Sequence, residues 1–351
     1  MVSYMKWAAL ILATAQLGYA QTYTSCNPTK SNILQPEVQP KTCPADTGLD
    51  KWEYNIDFTV GSSAFAKWNT TAGTVESTSL GAKFTISEEG DAPTIESEFY
   101  IFFGHIDVKL RAANGTGIIS TYILESDDLD EIDWEQISTY DTEIQTNYFG
   151  KGNTTTYNRA TTVTVSDPEI TFHTYSVDWT SSRIEWLLDG EVVRTVEYAD
   201  ALSGKNFPQT PMRIRIGIWA GGDPDNSEGT IEWAGGETDY TDGPFTMYVE
   251  SINITNYTPA QHYKYTDKTG AYTSIKSYNS TVSNSTSSSS MSSSSSIARI
   301  VSSSAAGATT SAASAASASA SAAAYSGASA LTYSSLFMAS VVAFIVGALQ
   351  M

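Results

Sequence analysis

The densest reactive chemistry in the chain lies in Ser126-Asp127-Asp128-Leu129-Asp130-Glu131-Ile132-Asp133-Trp134-Glu135. Side chains of an extended strand alternate between faces, so Glu131, Asp133 and Glu135 share one face and Ile132 and Trp134 the other. Three carboxylates in file repel one another, and an ordinary strand avoids this unless the face lines a functional cleft. Positions i and i+4 lie about 13 Å apart along a strand that rises about 3.3 Å per residue. Two glutamates leaning together over a curved sheet can still bring their carboxyls to the ~5–5.5 Å of a retaining glycosidase. One would attack an anomeric carbon. The other would protonate the leaving oxygen and then act as base, with the aspartate between them hydrogen-bonded to one or both. A solvated acidic edge or a calcium site would use the same residue types. The apolar Ile132 and Trp134 fit a half-buried strand better than a loop cage.

Such a strand needs a sheet around it. From about Trp52 to Tyr257, short runs rich in Val, Ile, Thr, Tyr, Phe and Trp alternate with Gly, Asn, Asp and Pro. Glu98–Phe103, Thr162–Val165, Thr174–Trp179 and Arg183–Leu188 read as strands, and Asp189-Gly190 as a tight hairpin turn. No long segment holds a helical apolar period. The expectation is an all-β fold: one β-jelly-roll sandwich of the concanavalin A-like kind over residues 52–260.

The 351 residues include 19 basic and 38 acidic ones, a net charge of −19. That excludes a nucleic-acid partner, whose binding relies on Lys and Arg to release counterions. It is compatible with uncharged substrates. Two cysteines exclude a disulfide scaffold and a Cys-rich zinc module. Cys26 and Cys43 most simply form one disulfide in an oxidising compartment, pinning the 21–51 segment to the domain. His105, His173 and His262 fall in no metal-ligand spacing, so neither a metal nor a cofactor is implied.

The two ends read as addresses. Residues 1–20 carry Lys6, a short apolar stretch Trp7–Ala13 and a small-x-small site Gly18-Tyr19-Ala20, the pattern of a secretory signal peptide. The segment 261–325 is expected to be a stalk, almost wholly Ser, Ala and Thr from Ser283 to Ala324 and unable to bury enough apolar surface to fold. Residues 326–351 read as a glycosylphosphatidylinositol (GPI) signal: small residues at Ser326-Gly327, a spacer, and the apolar terminus Leu336–Leu349. Ser326 and Gly327 are the candidate attachment residues. Asn-x-Ser/Thr acceptors at Asn69, Asn114, Asn153, Asn253, Asn256, Asn279 and Asn284 fit the secretory route.

Asp-Glu-Ile-Asp-Trp-Glu at 130–135 resembles the signature of glycoside hydrolase family 16, in the branch whose catalytic strand is regular. Flanking stretches are similar to the fungal Crh-type chitin–glucan transglycosylases: Ser126–Asp130, Gln145–Gly152, Gly217–Asp223 and Gly229–Gly236. The resemblance covers roughly Cys26 to Tyr257. It implies Glu131 as nucleophile, Asp133 as its supporting carboxylate and Glu135 as general acid/base and sugar ligand. It also implies sugar binding by Arg215, Trp219 and Thr230. The residues agree: in Arg213–Trp219 every even position is Ile, so Arg215, Gly217 and Trp219 share the other face. Gln145 and Tyr148 are further cleft candidates, Trp179 and Trp186 are packing residues, and Arg159, Glu232 and Trp233 stay unassigned. The implied activity cleaves chitin with retention and transfers it to β-glucan or chitin, at a cell surface reached through the GPI lipid. A plain retaining β-glucanase or chitinase, and a non-catalytic wall-binding lectin on the same fold, are the alternatives. The intact triad of carboxylates argues against the lectin.

Overall fold

The structure, a computed structural model, describes residues 24–30 and 43–279. The signal peptide, the Ser-rich part of the stalk, the GPI segment and Asn284 lie outside the described residues. In chain order the strands are β1 (Asp46–Thr47), β2 (Glu53–Asp57), β3 (Trp68–Ala72), β4 (Val75–Thr78), β5 (Gly81–Ile86), β6 (Thr94–Ser97), β7 (Gly104–Arg111), β8 (Ile118–Ser126) and β9 (Glu131–Ile137). There follow β10 (Glu143–Phe149), β11 (Thr161–Thr164), β12 (His173–Trp179), β13 (Arg183–Leu188), β14 (Glu191–Glu197), β15 (Met212–Ala220), β16 (Phe245–Asn256), β17 (His262–Tyr265) and β18 (Ile275–Tyr278). One α-helix among the described residues, α1 (Glu228–Trp233), interrupts them. Two antiparallel sheets make the expected sandwich. One runs β11-β10-β9-β8-β15-β6-β3; the other runs β14-β13-β12-β7-β16-β5-β4, with β2 also pairing β16.

The core is built by alternation. Ile106, Val108 and Leu110 of β7 and Ile214, Ile216 and Ile218 of β15 point into one hydrophobic cluster shared by both sheets. Strand β9 is clamped to the opposite sheet by two indoles. Trp134 donates its Nε1–H to the Ser176 carbonyl at 3.1 Å, and Trp186 donates back to the Asp133 carbonyl at 3.0 Å. Both rings are fully buried, so each N–H needs that partner. Asp189 and Gly190 both take positive φ, 50° and 86°, as a type I′ hairpin between β13 and β14 requires.

Two expectations are corrected here. Glu98–Phe103 is not a strand: it is the crossover from β6 to β7, whose ladder pairing is limited to single bridges at Tyr100 and Ile101. Its apolar run is continuous because Phe99 to Phe102 are buried on every side as the chain passes between layers. The domain also extends past both expected limits, 52 and 260. Strands β1, β17 and β18 form a third small sheet, and Leu49, Ala260 and Tyr263 belong to the main core. The chain to Tyr278 is thus folded rather than stalk, because Tyr263 is fully buried in the main core and Tyr272 and Ile275 pack against it. Cys26 and Cys43 are joined in a disulfide.

Candidate active site

The register places side chains on the cleft face in cross-strand rows. Glu131 lies between Phe149 of β10 and Glu125 of β8. Asp133 lies between Asn147 and Ile123, with Arg215, Glu96 and Asn69 continuing the row across β15, β6 and β3. Glu135 lies between Gln145 and Thr121, followed by Gly217. The face reading of β9 and β15 from alternation therefore describes one surface. Gly217 is bare because strand β6 approaches it: a Cβ there would meet Thr94 Oγ1 at 2.6 Å and the Pro93 carbonyl at 2.7 Å.

Glu131, Asp133 and Glu135 are 2%, 1% and 8% exposed. Burial, and then the neighbouring Asp133, pushes the Glu135 carboxyl up to about 8, which keeps it protonated at neutral pH. Burial likewise pushes Asp133 up to about 7, against a side-chain hydrogen bond with Glu131 that pulls the other way. The two carboxyls thus meet in a buried site and are joined by a hydrogen bond, which sets how readily either carries charge.

Around the carboxylates stands a frame of charges that only partly showed in the sequence. The Arg215 guanidinium binds Glu125 and reaches Glu96 Oε2 at 3.5 Å, and Glu131 adds to its positive character. Arg213 binds Glu96 on the same face. Glu96 and Glu125 have no motif of their own, and only the register brings them here. At the Glu135 end, Trp219 and Trp233 stack with centroids 6.0 Å apart and planes 22° apart. Trp233 donates its Nε1–H to Gln145 Oε1 at 3.2 Å. Helix α1 places Thr230 one turn before Trp233, so the two share a face. Its N-cap, Ser227, bonds the Thr230 hydroxyl at 2.8 Å. Ile119, Ile137 and Ala234 seat these indoles in a separate apolar cluster. The sequence gives Trp233 no role because its partner Trp219 sits on a different element.

Tyr148 is not a cleft residue. It pairs with Ile132, on the core face of β10, and packs on Trp186 at 6.5 Å with the Arg194 guanidinium 5.5 Å from its ring. Asn147 and Phe149, one position either side, are the residues that face the cleft. Asn256 is likewise misplaced as a glycan acceptor: it is fully buried, and its Nδ2 donates to the Leu49 carbonyl at 2.8 Å. Asn69, Asn114, Asn253 and Asn279 are exposed, and Asn153 is half-buried.

A β-sandwich that presents Glu-x-Asp-x-Glu from one strand, beside stacked indoles, defines a carbohydrate-active enzyme. Comparison with known proteins agrees. The profile of glycosyl hydrolases family 16 matches residues 62–235. Crh-like protein 1 of Aspergillus fumigatus is 57% identical over 274 residues, covering 78% of this chain and 71% of that one. Crh-like protein 5 of the same fungus is 50% identical over 285 residues, covering 81% and 69%. The solved structure of a Crh5 transglycosylase in complex with NAG is 54% identical, with a TM-score of 0.67, covering 72% of this chain and 99% of that one. The chain belongs to glycosyl hydrolases family 16, among its Crh-like transglycosylases.

Proposed function

We propose that this chain is a transglycosylase that cuts chitin and joins it to β-glucan or to chitin, crosslinking a fungal cell wall. The observation that carries it is the Glu131–Asp133–Glu135 file, buried, on one face, and beside the stacked indoles of Trp219 and Trp233. A Glu131 oxygen attacks the anomeric carbon of the donor. The glycosidic bond breaks, and the departing oxygen takes the proton of Glu135. The donor fragment is then esterified to Glu131. An acceptor hydroxyl gives its proton to the Glu135 carboxylate and attacks the same carbon, and the ester bond to Glu131 breaks. Asp133, hydrogen-bonded to Glu131, tunes the nucleophile. Arg215, anchored by Glu96 and Glu125, orients a sugar in the cleft, and Trp219, Trp233, Thr230 and Gln145 wall the end beside Glu135. There an acceptor held in attack geometry outcompetes water.

We also propose that the protein enters the secretory pathway through residues 1–20 and loses residues beyond the Ser326-Gly327 site to a GPI lipid. A stalk beginning after Tyr278 would then place the domain at the inner wall.

Product masses from a chitin oligosaccharide donor and a fluorescent β-1,3-glucan acceptor test the activity. Mixed products are expected. Shortened donor alone means a hydrolase, and binding without turnover means a wall-binding protein.

Two results should follow from the site. Trp219→Ala is expected to weaken oligosaccharide binding about tenfold, a stacking loss of about 1–1.5 kcal/mol. Titration calorimetry reads it, and an unchanged isotherm refutes the stacking role. The second result concerns pH. The alkaline limb of kcat/KM should fall as pH passes about 8, where Glu135 loses the proton it must donate. Stability should fall on the acid side of that limb, as pH rises from about 4 to about 8. Asp46, Asp128, Asp133 and Glu135 have folded values raised to about 7 or 8 by burial, so their contribution is full below the unfolded values near 4 and is lost as pH rises. His105, raised to about 9 by hydrogen bonds to Asp107 and Asp178, acts in the same direction above its ordinary value of 6.5. A melting temperature that rises from pH 5 to pH 8.5 contradicts this.

A further inference from the structure

The segment between β10 and β11 leaves the sheet directly beside Glu131 and is held by one side chain. Arg159 donates from Nε to the Tyr148 carbonyl at 2.9 Å, from one terminal nitrogen to the Asn153 carbonyl at 2.8 Å, and from the other to Thr156 Oγ1 at 2.9 Å. Its guanidinium lies over the Phe149 ring, 4.6 Å from the centroid. Phe149 is buried, yet it packs with neither hydrophobic cluster of the sandwich. It stands on the cleft face, as the cross-strand neighbour of Glu131. Against its edge rests Tyr157, with centroids 6.3 Å apart and planes at 69°, and that ring is 71% exposed.

An exposed tyrosine alone means little, since apolar atoms make up much of any protein surface. This one differs in three respects. Its loop is fixed by three guanidinium bonds, so presenting the ring costs little ordering on binding. Its base is an aromatic that belongs to the cleft rather than to the core. Its place is one strand spacing, about 4.8 Å, plus a ring contact outward from the Glu131 row. A carbohydrate chain lying across the strands over Glu131 and leaving the sheet past β10 meets this ring.

We propose that Tyr157, carried on the Arg159-pinned loop, is an outer subsite that stacks on a pyranose unit of the bound polysaccharide, remote from the cleaved bond. Tyr157 then acts as a length gauge: a short oligosaccharide over the carboxylates does not reach it, and a longer one does. Arg159 is a positioning residue for that subsite. The inference rests on the reading of this face as a polysaccharide cleft.

The test compares wild type, Tyr157→Ala and Tyr157→Phe on chitin oligosaccharides of increasing length. The measure is the ratio of kcat/KM for the longest to that for the shortest. The same ratio of association constants is read by calorimetry, which needs no turnover. Tyr157→Ala should lower both ratios about tenfold, the stacking of one ring, and Tyr157→Phe should keep them. A uniform change at all lengths, no change in the ratios, or an equal loss in Tyr157→Phe overturns the subsite. Absence of turnover and of binding in the wild type at every length overturns instead the polysaccharide reading on which it rests.

Discussion

Glu131→Gln is expected to remove transfer and hydrolysis together, by at least about 10³-fold, while leaving a folded protein. The amide cannot attack the anomeric carbon, so no glycosyl-enzyme forms and neither water nor a sugar has anything to resolve. The fold should survive because Glu131 contributes repulsion as well as contacts. It lies buried beside Glu125 and shares a hydrogen bond with Asp133, so a neutral isostere relieves charge crowding. Product analysis and thermal unfolding on the same preparation check both halves. A folded variant that keeps full transfer refutes Glu131 as nucleophile, whereas an unfolded one refutes the claim that its charge is held against stability.

Asp130→Ala is expected to have the largest effect on stability, although Asp130 touches no sugar. Its fully buried carboxylate accepts from the Gln209 amide at 2.8 Å, the Lys151 amide at 2.9 Å and the Thr210 hydroxyl at 2.8 Å, with Lys151 Nζ at 3.7 Å. Asp128 shares the Thr210 hydroxyl at 2.6 Å and is closed in by Gly270, where a Cβ would meet its Oδ2 at 2.4 Å. The loop before β18 joins the same network, since the Tyr272 amide donates to Gln209 Oε1 at 3.1 Å. Asp130 therefore ties three segments to the residue that precedes Glu131. Truncation strands their donors and the Lys151 charge in a dry site, at a cost of about 3–5 kcal/mol. For a domain of this size that lowers the melting temperature by about 10 °C or more. Asp130→Asn, which keeps the shape and one acceptor, should lose less. A melting temperature of Asp130→Ala within about 2 °C of wild type shows that the network carries no load.

The legible part of the site was the part written in one strand. Alternation alone puts Glu131, Asp133 and Glu135 on one face, and the Ile-Arg-Ile-Gly-Ile-Trp run puts Arg215 and Trp219 on another such face, because both depend only on the period of a strand. The Asp189-Gly190 turn was equally local. Tyr148 failed for the same reason that these succeeded. It lies in the Gln145–Gly152 stretch that carries the family resemblance, but the register pairs it with Ile132, so its period turns it to the core while Asn147 and Phe149 face the cleft. Glu98–Phe103 failed because a run buried on all sides looks the same in a strand and in a crossover.

What the sequence by itself determined is the chemistry: the file of carboxylates, the disulfide-bonded pair Cys26 and Cys43, and the all-β class, each set by residue type and short-range period. Tertiary structure alone decided which distant residues complete the site. Glu96 and Glu125 fix Arg215, Trp233 joins Trp219 and Gln145, and the indoles of Trp134 and Trp186 lock β9 to the facing sheet. Tertiary structure also decided that Asn256 is a core hydrogen-bond donor and that 262–278 is folded. The reason is common to all of these. Strand register and sheet-on-sheet packing join positions tens of residues apart through contacts that have no counterpart in the local pattern.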